Sequence, residues 1–175
     1  EIKYETSKVF IPLFKVMFKY QDPDFISNIV ISFKNNLFIN KKIGINIETM
    51  PPGRRTSWPH AESEEEEFAF VLEGAPDVWI DGELFALKPG DFVAFPAGTG
   101  IAHTFINNSQ STARLLVGGD QIIKTNKINY PLHPARNESM KQQDRFWENA
   151  PTVLKGTHNG EQNKKKNTNW NLPHM

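Results

Sequence analysis

Between Pro51 and Asp120 the chain alternates short apolar runs with turn-forming residues. The runs FAFVLEG, DVWI, ELFAL, DFVAF, AHTFI and ARLLVGG are set apart by GAP, DG, KPG, PAGTG and NNSQST. Short runs rich in β-branched and aromatic residues, evenly spaced between such breakers, predict a small all-β sandwich or barrel. Asp81-Gly82 is the strongest turn signal, because a two-residue type I′ hairpin needs positive φ at both central residues. It predicts that Val78 to Ile80 and Glu83 to Leu87 pair as antiparallel strands.

The flanks differ. Residues 1–50 carry apolar runs such as VFIPLF and NIVISF, broken by QDPD and KNN, which favours strands. Pro12 and Pro23 oppose long helices there. Residues 121–175 lose the alternation. One short helix is expected from near Asn137, with Phe146 and Trp147 anchoring it to the barrel, and the chain beyond Gly156 is polar, Asn-rich and expected to be loosely held. The organisation expected is therefore one domain: N-terminal strands over 1–50, packed on the barrel or on a dimer partner, a barrel core over 51–120, and a C-terminal extension over 121–175. A length of 175 residues suits one well-cored domain rather than two.

Charge removes several function classes. With 20 basic and 20 acidic residues the chain is formally neutral, so no long-range field draws nucleic acid or an anionic membrane to it. The cluster Lys164 to Lys166 lies among Asn and Gly and reads as a polar tail. No apolar stretch reaches the ~18 residues of a membrane span, and EIKYETSKVF lacks the order of a signal peptide. Cysteine is absent, which excludes disulfides, thiolate nucleophiles and zinc-thiolate sites, and is in keeping with a reducing compartment. The expectation is a soluble, cytoplasmic protein without nucleic-acid or membrane partners. Any metal must be held by histidine and carboxylate.

The candidate chemistry lies in SWPHAESEEEEFAFVLEG, which holds one histidine and then five glutamates in six residues. In an extended chain, side chains two apart share a face, so His60 aligns with Glu62, and Glu65 with Glu67. A later strand offers His103, followed on its face by Phe105 and Asn107. Two imidazoles and one or two carboxylates converging inside a barrel would suit iron, zinc, manganese or nickel and leave open positions for water or substrate. The bland alternative is that Glu64 to Glu67 form a solvated loop and His103 a core histidine. Arg54 and Arg55 are candidates to meet a carboxylate at the barrel mouth. His133 and His158 are loop histidines expected to be incidental, and Trp58, Trp79, Phe85, Phe92, Phe95 and Phe105 are expected to be mainly core. The glycines of PAGTG are not followed by the lysine and Ser/Thr of a phosphate loop.

The order of glycines, prolines and candidate ligands resembles the cupin superfamily, the double-stranded β-helix or jelly-roll proteins. The first motif of that family runs Gly, five residues, His-x-His, three or four residues, Glu, six residues, Gly. Gly53, His60-x-Glu62, Glu67 and Gly74 follow it with one extra residue after Gly53. The second motif runs Gly, five residues, Pro-x-Gly, two residues, His, three residues, Asn. Gly90, Pro96-Ala97-Gly98, His103 and Asn107 follow it with two additional residues before the histidine.

The resemblance covers about Pro51 to Asp120 and implies a cupin-type jelly roll with a divalent metal on His60, Glu62, Glu67 and His103. Glu62 stands where the family has its second histidine. That implies either two His and two carboxylates, a harder donor set, or a His/Glu/His triad with Glu62 displaced. The implied function is a metal-binding cupin that acts on or binds a small organic molecule by isomerase- or dioxygenase-type chemistry, its reaction unassigned because the fold hosts many. The alternative is a metal-free cupin that binds or senses a small molecule. A homodimer is expected, because the apolar N-terminal zone and the strand edges of a jelly roll call for cover.

Overall fold

A computed structural model describes residues 15–18, 29–32, 42–120, 124–151 and 154–163. Two short strands, β1 (Lys15–Phe18) and β2 (Ile29–Ser32), pair antiparallel with each other. The rest is a jelly roll, as the alternation predicts. A four-stranded sheet runs in the order β3 (Ile43–Met50), β10 (Ala113–Asp120), β5 (Glu67–Glu73), β8 (Phe92–Phe95). A three-stranded sheet runs β7 (Glu83–Ala86), β6 (Asp77–Ile80), β9 (His103–Ile106). All these pairings are antiparallel. The segment before β4 (Ala61–Glu62) prolongs the smaller sheet past β9 through bridges at Arg55↔Ile106 and His60↔His103. β4 then pairs with β11 (Ile128–Asn129).

The β6–β7 hairpin forms as its turn dictates, with Asp81 at φ 48° and Gly82 at φ 95°. The buried core between the sheets is Met50, Ala69, Val71, Val78, Phe95, Phe105, Ala113 and Leu115. Burying each of the larger aliphatic side chains there contributes roughly 1.5–3 kcal/mol. Strand parity puts a second cluster, Ala61, Trp79, Ala102 and Ile106, on the opposite face of the smaller sheet, where Leu132 and Trp147 of the C-terminal extension pack onto it.

The extension differs from the expectation in two ways. Its helix, α1 (Pro134–Gln142), starts three residues before Asn137, because Pro134 occupies the first turn, where a missing N–H costs nothing. The chain beyond Gly156 is not loosely held as far as Asn163. The indole N–H of Trp79 donates to the His158 carbonyl at 2.8 Å, the buried Arg55 guanidinium donates to the Gly160 carbonyl at 2.9 Å, and Lys155 and Gly156 donate backbone N–H groups to Asp81. Lys164 to Met175 lie outside the described residues.

Two expected core aromatics are not core. Phe92 is 61% exposed because its parity turns it to the outer face of its sheet, and Phe85, opposite Val78 on the edge strand β7, is 47% exposed at the margin of the smaller sheet. Strand β3, grouped by the sequence with the N-terminal strands, forms an edge of the larger sheet. Its alternation is inverted: Ile43, Ile45 and Ile47 face outward while Glu48 faces in. Among the described residues no helix is long and apolar enough to cross a membrane.

Candidate metal centre

The open end between the two sheets holds a cavity of about 440 Å³. His60, Glu67 and His103 meet on its wall, each brought by backbone pairing. Mutual hydrogen bonds between the backbones of His60 and His103, 2.9 and 3.2 Å long, set their side chains next to one another, ring centroids 5.1 Å apart. Glu67 opens β5 opposite Gly119 and Phe95. Gly119 is required there: a Cβ would sit 2.2 Å from the Glu66 carbonyl, so only glycine lets the acidic segment close onto β10 and bring Glu67 inward.

One ligating atom from each of the three residues lies within 4.8 Å of the other two. Glu67 Oε2 is 3.0 Å from His103 Nε2 and 3.7 Å from His60 Nε2. Nδ1 of His60 is 2.8 Å from the Trp58 carbonyl, which can only accept, so the ring proton resides on Nδ1 and Nε2 turns a lone pair to the cavity. Phe95 stacks on His103 at 3.5 Å between centroids, nearly parallel, and fixes its ring plane. Glu67 Oε2 is buried and receives no aligned hydrogen bond. Two imidazole nitrogens and a carboxylate oxygen converging in this way form a donor set that fits a divalent metal.

The electrostatics agree with that fit. Burial would raise the Glu67 carboxyl, but the His103 and His60 imidazoles outweigh it and bring it down to about 2. Burial pushes His103 down, towards the neutral ring that ligation requires, against the pull of Glu67. Glu62 is raised to about 7, by burial first, with His60 and the Asn126 amide opposing.

The structure brings Glu62 close without placing it in the mutual set. Its Oε1 is 3.7 Å from His60 Nε2, while its Oε2 accepts from the Asn126 amide. Asn126 is fully buried, and its Oδ1 accepts from the Ser63 N–H, the Ser63 hydroxyl and the Glu64 N–H. That clamp fixes the start of the acidic run. Glu64 and Glu66 are exposed. His133 lies against Trp58, their rings tilted by 36°, instead of reaching the cavity, His158 accepts the Gly160 N–H, and Asn107 ties Met50 to Ser111 as a structural amide.

Sequence reasoning passed over three residues at the site. Asn126 and Tyr130, whose ring stacks on His60 at 5.7 Å between centroids, come from the extension, where no spacing motif points to them. Glu48 lines the cavity from β3, its carboxyl raised to about 7 by burial first and then by Glu67, with Oε2 buried and unpartnered. The only signal for it was one acidic side chain in an Ile-rich strand, and that alternation read outward.

Residues 46–119 match the family model described as a cupin domain. A cupin-superfamily sugar phosphate isomerase from Silicibacter pomeroyi DSS-3 is 35% identical over 51% of this chain and 56% of its own, with a TM-score of 0.49. A protein of proposed sugar phosphate isomerase identity from Acidithiobacillus ferrooxidans ATCC 23270 is 30% identical over the same shares, also at 0.49. A salicylate 1,2-dioxygenase from Pseudaminobacter salicylatoxidans is 19% identical over 54% of this chain and 28% of its own, at 0.47. The chain thus spans just over half the length of the first two. No curated protein matches it.

Proposed function

We propose, for a chain whose residues 46–119 match a cupin-domain model, that this region binds a divalent metal on His60, Glu67 and His103, with Glu62 as a fourth donor, and there binds or acts on a small organic molecule. The observation that carries this is the convergence of three ligating atoms within 4.8 Å around a buried carboxylate oxygen with no aligned donor. When bound, the ion would supply Lewis acidity towards a carbonyl or hydroxyl oxygen of the ligand. The chain's own residues supply the rest. The Trp58 carbonyl holds the His60 tautomer, Phe95 holds the His103 ring, and Asn126 holds Glu62.

The test is elemental analysis of protein stripped with chelator and reloaded with Mn²⁺, Fe²⁺ or Zn²⁺. About one ion per chain is expected, lost in His103→Ala. A protein that stays metal-free under all three loadings sinks the proposal and leaves a metal-free binding domain.

We further propose that two copies associate through the outer face of the larger sheet. Ile43, Ile45 and Ile47 on β3 and Phe92 on β8 are all at least 40% exposed there, a broad apolar face for a free monomer. Light scattering of the full chain should show a dimer that Ile45→Asp with Phe92→Asp converts to a monomer; a monomeric wild type refutes this.

A further inference from the structure

The cavity wall away from the three candidate ligands has its own chemistry. Its apolar members Phe105 and Val117 alternate with polar ones: Asn46 is paired with Val117 on the larger sheet, Thr56 with Phe105 on the smaller, and Glu48 and Ser57 follow them. Asp120 sits at the rim, its carboxylate accepting from the Glu66 N–H. Among the described residues, none that lines the cavity is Lys or Arg. The acceptors outnumber the donors, and one of them is exceptional. Glu48 Oε2 is buried without any hydrogen-bond partner although it faces a space large enough for a small molecule. A buried polar atom left unmatched is costly, so such an atom at a cavity marks a place where a ligand completes the bonding.

We infer that this cavity takes an uncharged, hydroxyl-rich small molecule, with Glu48 accepting from one of its hydroxyls, and that in the metal-free protein it discriminates against the phosphorylated counterpart. Hydroxyls meet the polar side chains, and the C–H surface of a small polyol or sugar meets Phe105 and Val117 between them. Without a metal, a phosphate dianion would enter a site that already holds Glu67 and Asp120, with no Lys or Arg among the described lining residues to match it, and like charges in one cavity repel. Specificity follows from the same atoms. A site built to bond a hydroxyl loses that bond when the hydroxyl is absent, and the buried carboxyl is then left unpaired. This inference rests on the reading of the cavity as a ligand site, and it is separable from the metal.

The experiment uses the full chain at pH 7 in its metal-free form, titrated by calorimetry or ligand-observed NMR with the matched pair D-ribose and D-ribose 5-phosphate, the metal uptake of each variant being measured separately. Expected is at least tenfold tighter binding of ribose than of its 5-phosphate, with Glu48→Ala losing at least tenfold for ribose while metal content stays unchanged. Glu48→Gln, which keeps an acceptor oxygen and the side-chain volume, should retain most of the binding and guards against a fold defect in the alanine variant. Equal or tighter binding of the phosphate, no binding of either sugar, or ribose affinity unchanged in Glu48→Ala would each overturn the inference. If no metal is taken up, the metal proposal falls, and the same matched pair on the metal-free protein still decides this one.

Discussion

Glu62→Gln separates what a buried carboxyl does for stability from what it does for binding. The Glu62 side chain is 9% exposed, and burial lifts its carboxyl from 4.5 to about 7. A displacement of that size links to roughly 3 kcal/mol, little of it screened by solvent at this depth. The sign follows from the direction. A carboxyl raised on folding favours the native state fully below its unfolded value of 4.5 and loses that contribution as pH rises through about 7. At pH 8 Glu62 is ionised in both states, and the native state carries the full cost of a desolvated charge. Glutamine has the same shape, no charge, and an oxygen that still accepts from Asn126. In chelator-treated protein Glu62→Gln should therefore raise stability at pH 8 by up to about 3 kcal/mol, and by less than about 1 kcal/mol at pH 5. Urea denaturation at the two pH values measures this as a shift in midpoint at constant slope. Metal affinity should fall at least tenfold in the same variant, the stability-for-function exchange expected at a functional site. A gain at pH 8 no larger than at pH 5 would show that Glu62 is not a buried ionising group. A gain in stability with metal affinity unchanged would remove Glu62 from the ligand set.

Further outcomes follow from individual contacts. Carbon-detected NMR of metal-free protein should find the Glu67 carboxyl still ionised near pH 3.5 while Glu48 and Glu62 titrate near neutrality, and His103→Ala should raise the Glu67 midpoint towards the ordinary value; a wild-type Glu67 midpoint above 4 contradicts the geometry. Gly119→Ala puts a Cβ 2.2 Å from the Glu66 carbonyl, so elemental analysis should show lost metal with the far-UV spectrum retained; full metal content would mean that Glu67 does not depend on this close approach. Trp79→Phe deletes the donor to the His158 carbonyl from a fully buried ring and should cost about 1–3 kcal/mol, with proteolysis appearing first between 154 and 163; unchanged protease resistance would mean that other contacts hold the segment.

The parts of the fold legible in the sequence were those specified by local chemistry. Asp81-Gly82 adopts positive φ at both residues because the type I′ turn demands it, and that fixes the register of β6 against β7. His60, Glu67 and His103 could be read because each lies at the start of a strand, the two histidines just after the prolines and glycines that position the backbone, so spacing along the chain translates into nearness in space. Residues held by distant contacts were not legible. Asn126 reaches the acidic run across about sixty positions of sequence, and only the folded chain shows that its amide organises Ser63, Glu64 and Glu62.

Strand β3 shows why pattern reading inverted one face. In IGINIETM the isoleucines alternate with Gly44, Asn46 and Glu48, and the ordinary rule turns the isoleucines inward. The register with β10 decides otherwise: Glu48 lies opposite Leu115 and Asn46 opposite Val117, both on the inner face. A slip of one residue would seal the isoleucines into the barrel and expel Glu48, at the loss of the acceptor wall of the cavity. The observed register therefore leaves two costs at once, an uncovered apolar outer face and an unpartnered buried carboxyl. A dimer partner would relieve the first and a hydroxyl-bearing ligand the second, which makes the oligomer and ligand proposals two consequences of one strand's register. Replacing Ile47 and Phe92, neither of which lines the cavity, by Asp while leaving Glu48 intact tests that division. The variant should lose association and keep ribose binding within about threefold, whereas joint loss would mean that the cavity wall depends on the partner for its shape.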